Sequence, residues 1–81
     1  VNDITIYPNP AVNNFIINLK TTSILPLKYE VFDLAGKVLK RNELTPTNKK
    51  IDVEVSDLQS GLYFVKVASA GKEFISKLLI K

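Results

Sequence analysis

Hydrophobic and polar side chains alternate with a period of two along most of this chain. In residues 51–55 three aliphatic side chains alternate with two carboxylates, and similar alternation runs through 15–20, 27–31, 63–67 and 74–80. Because successive side chains of a strand point to opposite faces of a sheet, each of these segments predicts a β-strand with one apolar face. No long segment carries the wider apolar stripe of an amphipathic helix.

Turn-forming residues divide these segments from one another. Pro8-Asn9-Pro10 follows the first short apolar run, and Asp33–Gly36 separates two strands, with Gly36 able to adopt the positive φ of a tight hairpin. Polar or glycine-containing segments at 45–48 and 69–71 predict two further connections. We therefore predict seven strands, at about residues 3–7, 14–20, 27–33, 37–44, 50–55, 62–68 and 73–80.

Seven short strands without crossover helices predict an all-β fold, a seven-stranded antiparallel immunoglobulin-like β-sandwich. The 81 residues suffice for one domain, which we place at residues 1–81. Many sandwiches of this type carry a corner tyrosine whose hydroxyl bonds to upstream backbone. We assign that role to Tyr63, with Leu58 closing the end of the sandwich; the alternative is that Tyr63 is an ordinary strand residue.

The inventory of reactive side chains is short. The chain has no Cys and no His, which removes disulfides, cysteine metal sites and the commonest general base. The carboxylates fall on the polar phase of strands or in turns, where solvent or backbone amides satisfy them. We therefore expect no catalytic residue, no metal site and no cofactor.

Charge and hydropathy exclude further classes. The net charge is +3, and the basic residues are scattered rather than gathered in one stretch, which argues against a nucleic-acid partner. The longest apolar run, residues 62–65, is too short to span a membrane. The chain has no Trp, and most of its aromatic side chains share the apolar phase, apart from Phe32 and Phe64. It begins at Val1 rather than Met, so we expect a piece of a larger secreted protein.

Three segments, taken together and in this order, resemble one known family. They are Ile6–Ala11, Leu58–Val67 and Lys77–Lys81, and residues 31–38 between them fit the family's central hairpin. The set resembles the type A C-terminal sorting domain of the type IX secretion system, found in Bacteroidetes-type bacteria. The resemblance covers nearly all of the chain.

The resemblance implies a secretion signal without chemistry of its own, located at the C-terminus of a larger protein. It implies recognition by the translocon and by an outer-membrane shuttle β-barrel, after transit through the periplasm. It also implies removal by a surface sortase, with the cargo delivered to the cell surface or the medium. The alternatives are a fibronectin type III-like spacer or adhesion module and a carbohydrate-binding module of an extracellular enzyme.

The candidate recognition residues are members of the three segments: Pro8, Asn9, Pro10, Gly61, Tyr63, Lys77, Leu79, Ile80 and Lys81. Gly36, Leu58 and Tyr63 are predicted to have structural roles. Pro8–Pro10 fits either a rigid recognition segment or a strand terminator. The last strand carries apolar residues on both phases, which fits either an exposed docking strand or a strand buried on both faces.

Overall fold

The alternating segments form two packed sheets in the computed structural model, which describes residues 4–19, 26–45, 49–69 and 71–81. Seven strands form within these ranges: β1 (Ile4–Tyr7), β2 (Asn14–Leu19), β3 (Leu27–Phe32), β4 (Val38–Leu44), β5 (Lys50–Glu54), β6 (Gly61–Ser69) and β7 (Lys72–Ile80). Each predicted strand is confirmed to within one or two residues. The predicted ends at residues 3 and 20, and most of the 45–48 loop, lie outside the described residues.

The strands form a three-stranded sheet in the order β1-β2-β5 and a four-stranded sheet in the order β4-β3-β6-β7. All strand pairs are antiparallel. The all-β, immunoglobulin-like sandwich predicted from the sequence is therefore confirmed. No helix among the described residues is long and apolar enough to cross a membrane.

The core lies between the two sheets and is built from the apolar phase of each strand. Phe15 and Ile17 of β2 and Val65 and Val67 of β6 are completely buried, as is Val31 of β3. Among the described residues no polar or charged side chain is buried. The strict alternation in β2, β3, β5 and β6 follows from this arrangement, because each strand gives one face to the core and one to solvent.

The β3–β4 turn shows how local sequence sets strand pairing. The Asp33 carboxylate accepts hydrogen bonds from the backbone N–H groups of Ala35 and Lys37, at 3.0 and 2.9 Å. Gly36 has a φ of +87°, a conformation that L side chains rarely adopt. Both the turn role of Asp33 and the positive φ of Gly36 were predicted from the sequence, and both are confirmed.

Two features differ from the prediction. A parallel bridge pairs Ala11 with Ile80, so the antiparallel ladders are supplemented by one parallel contact. This contact arises because the chain leaves the three-stranded sheet after β1 and runs beside β7, at the edge of the other sheet. Tyr7, expected with the apolar phase, is 38% exposed because Ile4 and Ile6 take the core side of β1.

Candidate functional site

Tyr63, in the first part of β6, is buried beside the turn that precedes this strand. Its ring is only 8% exposed, and its hydroxyl donates a hydrogen bond of 2.6 Å to the backbone carbonyl of Gln59. Leu58, in the same turn, is half-buried and packs against the core. The hydrogen bond is the one that the predicted tyrosine corner requires, and the packing of Leu58 against the core agrees with its predicted structural role.

Gly61 begins the strand that carries Tyr63. Its φ of +155° lies in a region that disfavours L side chains, although an added Cβ would meet only the Tyr63 ring, at an ordinary 3.9 Å. Backbone conformation, rather than lack of space, therefore favours glycine at this position. This gives a physical reason for the glycine two residues before the corner tyrosine.

Asn9 fixes the proline-containing segment to the last strand. Its side-chain Nδ2 donates to the backbone carbonyl of Lys77 at 2.9 Å, and its Oδ1 accepts from the backbone N–H of Leu79 at 3.0 Å. The amide side chain thus takes the place that a neighbouring strand would take on the free side of β7. The peptide bonds before Pro8 and Pro10, on either side of this residue, are both cis.

Ala11 continues the same pairing with its backbone. Its N–H donates to the carbonyl of Leu79, and its carbonyl accepts from the N–H of Lys81, both at 2.8 Å. We call these two bonds, together with the two bonds of Asn9, the terminal clasp. Ala11 is completely buried, so a larger side chain would have no room there. The clasp joins the segment that follows β1 to the last residues of the chain, 77–81.

The three motif segments meet at this end of the four-stranded sheet. Gly61 is paired with Ile80 and Tyr63 with Leu78 in the β6–β7 ladder, while Ala11 lies on the other side of Ile80. Segments far apart in the sequence therefore occupy three adjacent backbone stretches. This convergence is the main structural feature of the predicted recognition residues.

The predicted recognition residues separate into two groups by burial. Tyr63 and Ile80, which are 8% and 2% exposed, face the core, and Gly61 is half-buried. The remaining candidates are exposed: Pro8, Asn9, Pro10, Lys77, Leu79 and Lys81. Leu79 is 41% exposed and Ile75 is 58% exposed, so β7 is not buried on both faces. Recognition by these residues stays a prediction.

A shallow, open depression lies beside the tyrosine corner. Leu34, Leu39 and Leu62 contribute apolar lining, and Asp33 and Asp57 contribute carboxylates. The Asp33 carboxylate is already bound to the β3–β4 turn, and that of Asp57 lies 2.9 Å from the amino group of Lys40. The hydrogen bond from Lys40, with a further one from the Asp57 backbone, lowers the pKa of Asp57.

These engaged carboxylates leave little for catalysis or metal binding. Both carboxylates already have hydrogen-bond or ion-pair partners, and the contact with Lys40 lowers the pKa of Asp57, whereas a general acid needs a raised pKa. Within the described ranges no three His, Cys, Asp or Glu side chains are grouped as a metal site would require. The chemistry available at this end of the molecule is therefore binding by backbone, apolar side chains and lysines.

Sequence reasoning missed two elements of this region. Ala11 belongs to the first motif segment, but the sequence does not predict its bonds to β7, and only its small size suggests a close backbone approach. The second is an apolar strip on the outward face of the four-stranded sheet, formed by Phe32, Val38, Leu62, Phe64, Ile75 and Leu79. The sequence signal for this strip is the presence of apolar residues at the solvent-facing positions of β6 and β7, which alternate with the core-facing positions.

Comparison with known proteins places this arrangement in a family. The chain is 30% identical over 76 residues to the ulvan lyase NLR42 of Nonlabens ulvanivorans; the match covers 93% of this chain and 14% of the lyase. A family model described as a secretion system C-terminal sorting domain matches residues 5–81. The chain therefore belongs to the type IX secretion C-terminal sorting domains, non-catalytic signals for export to the cell surface or the medium.

Proposed function

We propose that this domain marks a larger cargo protein for handling by two outer-membrane components, the type IX translocon and its shuttle β-barrel. The cargo reaches them through the periplasm, and a surface sortase afterwards removes the domain. One observation carries this proposal: the three motif segments converge at one end of the sandwich, where the terminal clasp fixes them. This end presents backbone and binding groups rather than reactive ones.

A sorting signal must present the same surface whatever cargo precedes it. The clasp supports this requirement, because Asn9 and Ala11 hold the last strand by bonds made within the domain itself. The exposed candidates Pro8, Asn9, Pro10, Lys77, Leu79 and Lys81 would contact the machinery. Gly61, Tyr63 and Ile80 would act through the backbone shape that they support.

A reporter fusion tests the proposal. Residues 1–81 are attached to the C-terminus of a periplasmic reporter in a type IX-competent host and in a matched strain that lacks the translocon. We expect reporter outside the cell only in the competent host. Reporter retained in the periplasm of both strains would count against the sorting role, and binding of the domain to insoluble polysaccharide would favour the carbohydrate-binding alternative.

The proposed roles of the shuttle barrel and the sortase are tested separately, in strains that lack one or the other. A strain that keeps the translocon but lacks the shuttle barrel should hold the reporter in the periplasm. A sortase-deficient strain should export the reporter with the domain still attached. Normal export without the shuttle would remove that partner from the proposal while leaving the sorting role in place.

Lys81 allows side-chain recognition to be separated from the clasp. Deletion of Lys81 removes the backbone N–H that bonds to Ala11, whereas Lys81→Gln keeps this N–H and removes only the charge. If the export machinery recognises the Lys81 side chain, both variants lose export although Lys81→Gln remains folded. If Lys81 contributes only its backbone, Lys81→Gln is exported like the parent, and its side chain leaves the list of contacts.

A further inference from the structure

The outward face of the four-stranded sheet carries exposed and half-buried apolar side chains that neither the core nor the terminal clasp uses. We call this set the outer strip; it consists of Val38, Phe32, Phe64, Leu62, Leu79 and Ile75. Ile75 is 58% exposed, Leu79 41%, and Leu62 and Val38 are each 38% exposed. Apolar side chains scattered singly over a surface are ordinary, but a contiguous group signals an interaction site.

Strand register shows that the outer strip is contiguous. Phe32 of β3 is paired with Val38 on one side and with Phe64 on the other. The Phe32 and Phe64 rings are stacked, with 5.9 Å between their centroids. Directly opposite residues on one face of a sheet lie close enough for their side chains to touch.

The strip continues from Phe64 to the last strand. Leu62, two residues before Phe64 and on the same face, is paired with Leu79 of β7. Ile75 lies on the same phase of β7 as Leu79, with Lys77 between them. It is opposite Lys66 and diagonal to Phe64, within reach of that aromatic side chain. The strip therefore runs across all four strands and ends on β7, beside the terminal clasp.

Charged groups around the strip leave an excess of positive charge near its β7 end. Two acidic side chains on this face already have partners: Glu30 binds Arg41 at 3.3 Å, and Glu73 binds Lys66 at 3.2 Å. By contrast, Lys77 lies between Ile75 and Leu79 on the outward phase of β7, and its amino group forms no ion pair within the part of the chain that the structure describes. Lys81 continues the same phase and is exposed.

We propose that the outer strip is a docking surface for a protein partner that presents apolar side chains beside carboxylates. The inference rests on the proposed function, because the partner would be a component of the export machinery. An apolar and aromatic centre with a charged rim is the usual anatomy of a protein interface. The carboxylates would pair with Lys77 and Lys81, and the apolar groups would cover Leu62, Ile75 and Leu79.

A second copy of this chain fits the strip less well. Packing two such faces together would gather Lys77 and Lys81, whose amino groups form no ion pair with the residues that the structure describes, in one interface between molecules that each carry a net charge of +3. The acidic groups nearest the strip, Glu30 and Glu73, are already neutralised by partners on their own sheet. The positive charge at the β7 end therefore calls for carboxylates from a different molecule.

Export of reporter fusions tests this surface with a matched control. Ile75→Glu alters the most exposed member of the strip, while Val12→Glu makes the same change at a residue that is 59% exposed and lies outside the strip. We expect Ile75→Glu, alone or with Leu79→Glu, to reduce export at least about tenfold, the effect of losing one interface anchor. We expect Val12→Glu to be exported like the parent and Lys77→Glu to be impaired.

Folding and partner identity are checked in the same set of variants. The midpoint temperature of thermal unfolding should remain close to that of the parent, because every substituted side chain is exposed. If Ile75→Glu unfolds, Ile75→Thr replaces it, because threonine keeps a high strand propensity. A photo-crosslinker at position 75, compared with one at position 12, should yield an adduct with an outer-membrane export component only at position 75. A self-adduct, or binding to vesicles containing anionic phosphatidylglycerol, would overturn the choice of partner.

The outcomes separate this inference from the proposed function. If the parent fusion is not exported, the sorting role itself fails. If the parent is exported and folded Ile75→Glu is exported equally well, the docking surface is wrong while the sorting role stands.

Discussion

The side chain of Tyr63 has two structural roles. Its ring is part of the core, and its hydroxyl ties the strand to the preceding turn through the carbonyl of Gln59. A tyrosine suits this position because one end of the side chain is apolar and the other can form a hydrogen bond. The corner therefore sets where β6 begins relative to the Leu58 turn.

Replacing Tyr63 with Phe should weaken the fold without opening a cavity. The substitution removes the 2.6 Å hydrogen bond but keeps the ring. We expect a loss of about 1 kcal/mol in the free energy of unfolding, measured by urea denaturation. Tyr29→Phe is the control, because the hydroxyl of Tyr29 forms no hydrogen bond among the residues described. Equal losses for both variants would contradict the corner role.

Asp57 gives a prediction about pH. Lys40 holds the pKa of this carboxyl below its usual value of 3.8, chiefly through a hydrogen bond. Because the pKa is lower in the folded state than in the unfolded state, the ion pair favours folding above pH 3.8, and this contribution disappears as the pH falls through the folded-state pKa. The carboxyl is exposed, so we expect the effect on stability to be small.

An NMR titration of the Asp57 carboxyl carbon measures this shift directly. The midpoint should lie below 3.8 in the parent and rise in Lys40→Gln. Lys72→Gln removes the same charge at the opposite end of the β6–β7 hairpin and should leave the midpoint unchanged. An unchanged midpoint in Lys40→Gln would show that the ion pair does not form in solution.

The sequence predicted these residue-scale features because each depends on near neighbours. Tyr63 bonds to a residue four positions away, and Asp33 to residues two and four positions away. Turns and tyrosine corners depend on residues a few positions apart, so short sequence motifs predict them. The partners of Asn9 are 68 and 70 positions away, and no local pattern identified them.

At the scale of elements, β7 is an edge strand that is covered for part of its length. The terminal clasp occupies the backbone groups between Lys77 and Lys81 on the side away from β6. Uncovered edge backbone is a template for pairing with other chains. The clasp therefore protects the end of the domain from unspecific pairing, while the side chains of the outward phase remain accessible.

Asn9→Ala should loosen the end of β7 selectively. The variant loses both side-chain hydrogen bonds, and we expect a cost of about 1–2 kcal/mol in the free energy of unfolding. The sharper measurement is hydrogen exchange of the Leu79 amide, which donates to Asn9 and should exchange faster. The Leu78 amide, which faces β6, should change much less.

Asn13→Ala is the matched control for this experiment. Asn13 is an exposed asparagine in the same connection between β1 and β2, and its backbone carbonyl, not its side chain, bonds to Val55. Its substitution should leave the exchange of Leu79 unchanged. If Asn9→Ala also leaves this exchange unchanged, the side chain of Asn9 does not cover the strand.

At the scale of the molecule, alternation predicted the buried faces of β2, β3, β5, β6 and β7 but did not give the strand order. The two-residue alternation of apolar and polar side chains indicates which residues face the core, and it does so correctly for Phe15, Val53 and Val65. It contains no information about which strands become neighbours, since any strand with one apolar face can join either sheet. The convergence of the three motif segments, which forms the candidate site, therefore needed the structure.

Whether the export machinery reads the folded domain or a linear peptide is tested by Phe15→Ala. Phe15 belongs to none of the three motif segments, yet it is completely buried in the core. Its truncation should cost about 3–5 kcal/mol, most of the stability that so small a domain has. If the machinery recognises the folded surface, the reporter should accumulate in the periplasm although every motif residue is intact.

Two further variants complete this test. Phe15→Leu, a milder change of about 1–2 kcal/mol, should reduce export in proportion to the folded fraction measured by circular dichroism. Val12→Ala alters a nearby exposed side chain and should leave both folding and export unchanged. Because unfolding separates the motif segments without altering them, continued export of unfolded Phe15→Ala would mean that their order along the chain, and not their convergence at the terminal clasp, is what the machinery recognises.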